Sequence, residues 1–267
     1  MSESSKKTNP LSMSVQLKGA DTNRSPFRPP WPQQGKNIES KIRKLLYATN
    51  MLEGVDKLAV ALSGGKDSIT LLMMLKAILG YGFPSAELHA IHIGGEFSCG
   101  AGVHRPYLEK LCQELGVVFH YRESTQKLET LECYPCSRER RSLIFSAAKE
   151  AGAKFIAFGH HMDDSAETLM MNLLQKGEFL TLLPKLEMVK YGVTIIRPLL
   201  YVSETEIITF AKSQGFARVM CQCPVGQNSM RKKVKMLIEE MSEHFPYAMT
   251  NLARAGELYG SRKAEEP

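Results

Sequence analysis

The segment Ser63-Gly64-Gly65-Lys66-Asp67-Ser68 gathers the groups that a polyphosphate needs. Adjacent glycines let a backbone turn tightly and aim successive N–H groups at one point. Lys66 adds a full positive charge, and the hydroxyls of Ser63 and Ser68 add donors. The apolar run LAVAL at 58–62 precedes the segment and a helical pattern follows. A helix N-terminus therefore brings the positive end of its dipole to the same place. An ordinary strand-to-helix turn needs a glycine and an Asp cap, but not the whole set. The loop is not a Walker A motif, because the spacer such a motif carries ahead of Gly-Lys is missing.

A second constellation, Gly159-His160-His161-Met162-Asp163-Asp164, follows the strand-like KFIAF at 154–158. Carboxylates at the end of a strand and the start of a helix can hold magnesium or move a proton beside a nucleotide. Asp is also a preferred helix cap. We expect Asp164 to serve the chemistry and Asp163 to cap or to bind Mg2+. His160 is a candidate for phosphate contact, and His161 is read as packing the loop.

Six cysteines are present. Cys133 and Cys136 form a CxxC read as part of a loop, and Cys221 and Cys223 form a CxC further on. Cys112 falls on the apolar stripe of a helix and reads as core. Nothing marks Cys99. Four clustered thiols fit structural zinc, a redox pair, or an iron–sulfur cluster with one iron left open when three thiols bind. Spacing alone does not choose among these. Basic runs adjoin both groups: Arg138, Arg140 and Arg141 after the first, and Arg231, Lys232, Lys233 and Lys235 after the second. A polyanion would be drawn to them, although either run taken alone is an ordinary solvated helix face.

The elements that must position these groups alternate. Ile38, Ile42, Leu45 and Leu46 mark a helix, 58–62 a strand, 67–79 a helix and ELHAIHI at 87–93 a strand. Pro106 opens a helix with Leu108, Leu111, Cys112 and Leu115 on one face. VVFHY at 117–121 is strand-like, 137–150 helical, 154–158 a strand, and Asp164 opens a helix with Ala166, Leu169, Met170, Leu173 and Leu174 as its apolar face. VTIIRP at 193–198 is a strand, and Ser203 with Glu206 makes a capping box for the next helix. On the basic helix, Val234, Leu237, Ile238 and Met241 form the apolar face. Such alternation implies an α/β fold with a doubly wound parallel sheet covered on both faces. Ligands then bind beyond the carboxyl ends of the strands, so the working loops follow 62, 93 and 158. Residues 1–36, with five of the 13 prolines, read as a disordered or loosely docked arm, with a solvated tail preferred over anchoring by Phe27 and Trp31. Residues 37–216 read as the α/β domain that carries both loops, and 217–260 as a small helical appendage carrying cysteines and basic residues. The tail after Tyr259 is expected to fray.

Composition agrees with an ordinary globular chain: 267 residues, 43% hydrophobic and 23% charged. A mainly disordered or fibrous chain is excluded. No apolar run is long enough to span a bilayer, and no signal peptide is visible. The formal charge of +6 is compatible with an anionic partner.

SGGKDS after the first strand resembles the PP-loop of the ATP pyrophosphatase superfamily, and GHHMDDSAETLMMNLL at 159–174 is similar to that superfamily's downstream motif. The resemblance implies an adenine-nucleotide α-hydrolase fold and cleavage of ATP between its α- and β-phosphates. Together with C-x-x-C-S-R-x-R-R at 133–141, the IRPL stretch around Arg197 and a cysteine-rich turn running into a basic helix, the pattern over about 37–250 resembles the tRNA 2-thiocytidine synthetase family. Members use ATP and a [4Fe–4S] cluster held by three cysteines to place sulfur on C2 of a tRNA cytidine. The resemblance implies Cys133, Cys136 and Cys223 as cluster ligands, with Cys221 the alternative to Cys223. The family's closing C-x-x-C-G-S-Q here reads Cys221-Gln222-Cys223-Pro224-Val225-Gly226-Gln227, one residue off in spacing. It implies Ser63, Gly64, Gly65, Lys66, Asp67, Ser68, Gly159, His160 and Asp163 at ATP, with Lys66 and Asp164 catalytic. Arg138, Arg140, Arg141, Arg231, Lys232 and Lys233 are the expected tRNA contacts. Mg2+ with ATP, a sulfur donor such as a cysteine desulfurase, and a cytoplasmic location complete the expectation, which leaves room for a homodimer. The extra zinc-ribbon cysteines of the related 2-thiouridine branch do not occur before Cys99 or after Cys223. The rivals are another PP-loop synthetase, such as an ammonia-using one, and a non-enzymatic cysteine-rich redox or nucleic-acid-binding module.

Overall fold

The computed structural model describes residues 25–95, 105–126, 133–216 and 229–260, with 133 and 134 described by backbone alone. Helix α1 (Gln33–Ala48) leads into strand β1 (Lys57–Ala61), followed by α2 (Lys66–Ile78), β2 (Glu87–Gly94), α3 (Arg105–Leu115), β3 (Val118–Glu123), α4 (Cys133–Glu150) and β4 (Phe155–Ala157). Then come α5 (Met162–Lys176), β5 (Lys185–Met188), β6 (Val193–Ile196), α6 (Glu204–Ser213), α7 (Met230–His244) and α8 (Ala248–Tyr259).

The six strands lie in the order β3-β2-β1-β4-β6-β5. All neighbours pair in parallel except β5 on β6, an antiparallel edge that the sequence pattern did not announce. KLEM in β5 is short and half exposed, as suits an edge strand, and has no apolar run to signal it. β2 is buried along nearly its whole length, as expected of a parallel strand covered on both faces.

One core packs α1, α2, α3 and α6 against Leu58, Val60 and Ala90 on one face of the sheet. A second packs Ile144, Phe145, Ala147 and Ala148 of α4 against Ala59, Ile91 and Ile156 on the other. A third joins α5 to the C-terminal helices through Ala166, Met170, Val234, Ile238 and Ala253.

Several local expectations are corrected. Trp31, expected in a solvated tail, is 4% exposed and meets the Phe210 ring edge-on at 5.7 Å. Gly35 is required beside it: a Cβ there would stand 2.6 Å from Trp31 and 2.7 Å from Phe210. The boundary expected at 36 therefore falls inside α1. The CxxC, expected in a loop, forms the first turn of α4, where Pro135 is tolerated because the first turn's N–H groups have no helical acceptor. Leu173 and Leu174, expected on the apolar face of α5, are exposed at its end, as is Leu237 on α7. Cys112 is fully buried, and burial pushes its thiol up to about 12, in keeping with a core role. Cys99, Cys221, Cys223 and the chain ends lie outside the described residues.

Candidate active site

The chain lays down β1, β2 and β3 in one direction, then returns to place β4 on the other side of β1. The loops leaving β1 and β4 therefore diverge from adjacent strand ends, the crevice where open α/β sheets bind ligands. These loops are 63–68 and 159–164, the two constellations singled out by residue type.

The first loop is built as a cradle. Gly64 has φ +83°, a conformation that favours glycine. Its N–H donates to Ser68 Oγ at 3.2 Å, and the Gly65 N–H donates to Ser63 Oγ at 3.3 Å. The two hydroxyls stand 3.1 Å apart. Gly65 is the N-cap of α2 and makes no side-chain cap, so the first turn's N–H groups face the loop mouth. His92 on β2 donates from Nδ1 to the Leu62 carbonyl at 2.7 Å, tying down the strand end from which the loop springs.

Lys66 Nζ lies 3.1 Å from Asp67 and 3.0 Å from Glu204 Oε1. Burial works against its charge, but these carboxylates outweigh burial and raise its pKa. Glu204, the first residue of α6, also bonds Lys235 of α7. Burial opposes its ionisation, yet the two lysines pull its pKa down to about 2.

The second loop packs directly on the first. A Cβ on Gly159 would stand 3.2 Å from the Asp67 carbonyl carbon and from the Ser68 nitrogen. His161 caps α5, and the expected division between the two aspartates is rearranged. Asp164, not Asp163, completes the capping box: its Oδ2 accepts from the His161 N–H at 3.0 Å. Asp163 Oδ2 accepts from the Glu204 N–H at 2.8 Å, joining α5 to the start of α6. Asp164 Oδ1 receives Arg231 at 2.9 Å. Burial disfavours the Asp164 carboxylate, but the charges of His161 and Arg231 hold its pKa below the usual value.

His161, read from sequence as packing, is 6% exposed and ringed by Asp163, Asp164 and Asp67 at 3.5–3.9 Å. Despite burial, these carboxylates raise its pKa to about 9. A protonated Nδ1 cannot also accept the Asp164 N–H, and that contact is long at 3.4 Å. We take the charge as dominant and the Asp164 carboxylate as the working half of the cap. His160 stacks on Phe158 at 5.7 Å, and burial lowers its pKa to about 4, so it is neutral. Its Nδ1 is buried and has no hydrogen-bond partner among the described residues.

Three further residues join the site without having been singled out. Glu167, 4% exposed, takes Arg231 at 3.1 Å, yet burial and the Asp164 charge still raise its pKa. Arg197, 7% exposed, donates to the Leu183 carbonyl; burial and Arg141 lower its pKa to about 10. Glu204 is the third. A sequence signal existed only for Arg197, which sits in IRPL, and for Glu204, which follows a recognisable cap.

Of the basic residues, Arg138, Arg141, Lys232 and Lys233 are exposed and Arg140 is partly buried, while Arg231 turns into the site. Cys136 is buried one turn into α4, at 8% exposure. The side chain of Cys133, and Cys221 and Cys223 altogether, lie outside the described residues. Among the described residues no helix is long and apolar enough to cross a membrane, and no group of three His, Cys, Asp or Glu side chains is arranged to hold a metal ion.

A family model described as a PP-loop domain matches residues 35–233. The chain is 32% identical over 229 residues to the tRNA-cytidine(32) 2-sulfurtransferase of Citrifermentans bemidjiense, covering 82% of this chain and 88% of the relative. It is 35% identical over 217 residues to the protein of the same name from Dechloromonas aromatica, covering 79% and 76%. Among solved structures, the U34-tRNA thiolase NcsA from Methanococcus maripaludis with its [4Fe-4S] cluster superposes with a TM-score of 0.68 at 24% identity, over 84% of this chain and 78% of that one. That likeness shows a shared fold.

Proposed function

The chain belongs to the PP-loop domain family and, within it, to the family of the tRNA-cytidine(32) 2-sulfurtransferases, and on that premise we propose that it is an ATP-dependent tRNA sulfurtransferase acting on C2 of a cytidine. The observation that carries the reading is the convergence of the 63–68 and 159–164 loops at the β1/β4 switch, with Lys66 and the open end of α2 at its mouth. The backbone of Gly64 and Gly65, with Ser63 and Ser68, receives the phosphates, and Lys66 follows the charge that passes to the leaving pyrophosphate. Asp67, Gly159 and His160 complete the nucleotide pocket.

The cytidine O2 attacks the α-phosphorus, pyrophosphate leaves, and a sulfide equivalent then displaces AMP from C2. Asp164, held as a carboxylate by Arg231 and His161, is better suited to fixing charge than to taking a proton. Asp163 is our candidate for Mg2+. Cys133, Cys136 and Cys223, with Cys221 as the alternative third, are the proposed ligands of a [4Fe–4S] cluster. A CxxC on the first turn of a helix, with Cys136 shielded from water, suits thiolate ligation. Such a cluster supplies an iron able to carry sulfur. Lys232, Lys233, Arg138, Arg140 and Arg141 are the proposed phosphate contacts for tRNA. A cytoplasmic location and a desulfurase-type sulfur donor go with this reading.

The test is anaerobic purification with iron and sulfide analysis, followed by ATP turnover with a tRNA transcript and mass analysis of its nucleosides. AMP, pyrophosphate and 2-thiocytidine are expected. ADP as the product, or thiolated uridine in place of cytidine, overturns the assignment.

A further inference from the structure

The basic run at the start of α7 is split by the helix into two faces. Arg231 and Lys235 are one turn apart and lie on the side of the buried Val234 and Ile238. Lys232, Lys233 and Met236 lie on the exposed side. The inward pair is engaged by the nucleotide site. Arg231 spans one turn of α5: Nη1 reaches Asp164 at 2.9 Å and Glu167 at 3.1 Å, and Nη2 reaches Thr168 Oγ1 at 3.2 Å. Lys235 bonds Glu204, whose other oxygen holds Lys66 of the phosphate loop.

We propose that Arg231 and Lys235 are positioning residues of the ATP site, and that α7 serves the nucleotide on its inner face while its outer face meets RNA. Arg231 fixes the Asp164 carboxylate; Lys235 fixes Glu204, and through it the Lys66 ammonium. Withdrawing Arg231 to reach an RNA phosphate would strip the buried Glu167 of its cation. The Arg231 side chain is partly exposed, but the Glu167 carboxylate it would leave is buried, so the cost of withdrawal falls on that carboxylate, while an exposed phosphate contact returns little. The planar guanidinium can hold Asp164 and Glu167 at once, which a lysine's point charge does less well.

The proposal rests on the adenylylation reading, and its test separates the two. In the full-length chain, three quantities are measured: affinity for AMPCPP, an ATP analogue with an uncleavable α–β bridge; the rate of AMP formation at saturating tRNA; and affinity for an unmodified tRNA transcript across a salt series. Arg231→Ala should weaken AMPCPP binding about tenfold, because a cation is lost and two carboxylates are left facing the phosphates. It should lower kcat for AMP formation by about 10- to 100-fold and leave the tRNA constant within about twofold. Arg231→Lys should recover part of kcat. Should Arg231→Ala not fold, as judged by melting, Arg231→Gln keeps an N–H for the carboxylates and carries the same expectations in weaker form. Lys232→Ala with Lys233→Ala should show the opposite pattern, weaker tRNA binding with a salt slope lower by about 2 and unchanged AMPCPP affinity. A loss of tRNA affinity in Arg231→Ala or Arg231→Gln, with nucleotide affinity and kcat intact, overturns the proposal. If the wild type forms no AMP, the sulfurtransferase reading fails, and AMPCPP affinity still decides the role of Arg231.

Discussion

Replacing Gly159 by alanine probes the seam between the two loops. The added methyl would stand 3.2 Å from the Asp67 carbonyl carbon, 3.2 Å from the Ser68 nitrogen and 3.3 Å from the Ser68 Cα. Carbon contacts are comfortable at about 3.5–4.0 Å, so each gap must widen by roughly 0.2 Å or more. These atoms are backbone in the first turn of α2, so no flexible side chain can yield in their place. The phosphate loop itself must shift. Overpacking of this kind costs about 1–3 kcal/mol. The φ of Gly159 lies outside the left-handed region, so alanine recovers about 0.4–1 kcal/mol through a less flexible unfolded chain. The net expectation is a loss of up to about 2.6 kcal/mol in stability. Since a misplacement of about 1 Å in a reacting group can cost 100-fold, a few tenths of an ångström should cost about 3- to 10-fold in kcat/KM for AMP formation. Gly65→Ala is the control for packing, because its methyl meets only Ser63 Oγ, at 3.4 Å. It should melt like the wild type and, if the cradle is correctly read, lose ATP affinity as the methyl crowds the phosphates. Thermal melts and AMP assays on both variants decide the matter. A Gly159→Ala protein that matches the wild type in both would refute the argument that this glycine is fixed by loop-to-loop contact.

Lys66→Ala should leave the fold intact and abolish AMP formation, as read by release of pyrophosphate; turnover above about one-tenth of the wild type would remove Lys66 from the catalytic set. His161, with its pKa raised to about 9, contributes stability that is complete below its unfolded value of 6.5 and is lost as pH rises through 9. His161→Asn retains an N-cap side chain, so unfolding measured from pH 6 to 10 should show the wild type losing up to about 3 kcal/mol across that window and the variant losing little of it. For the cluster, Cys133→Ala, Cys136→Ala and Cys223→Ala should each lose bound iron and thiolation, whereas Cys221→Ala should keep iron at least in part. Loss in both Cys221→Ala and Cys223→Ala would give a site closed by four thiolates and end the open-iron reading. Cys112→Ala should cost only packing, on the order of 1 kcal/mol, with iron unchanged.

Local pattern carried the fold further than the site. Apolar runs at 58–62, 87–93 and 154–158 and the i, i+3, i+4 stripe of α3 were readable because each is decided within a few residues. β5 was not, since KLEM has neither alternation nor a hydrophobic run and exists only because β6 offers it an edge. Trp31 was misjudged for the same reason. Its surroundings are prolines and polar residues, and what buries it is Phe210, supplied from α6. The CxxC reads as a loop from its residue types, although a first helical turn admits the proline between the cysteines.

The charges of the site were legible as residue types and illegible as partners. Lys66 meets Glu204 across 138 residues, Glu204 meets Asp163 across 41, and Asp164 meets Arg231 across 67. All of these residues lie in the first turn of their helices: α2, α6, α5 and α7 begin at one place. Four first turns brought into contact gather positive partial charge, which an acidic residue in a first turn relieves. Asp67, Asp163, Asp164 and Glu204 therefore look like separate caps when read one helix at a time. Assembled, they form one carboxylate layer that holds Lys66, His161, Arg231 and Lys235 in fixed positions. A polyphosphate entering here meets N–H donors arranged for an anion and carboxylates already engaged by those cations. It must either displace a carboxylate from Lys66 or bring a divalent cation to share, and the second route asks for less rearrangement. That balance is the physical ground for the proposal that ATP binds together with Mg2+.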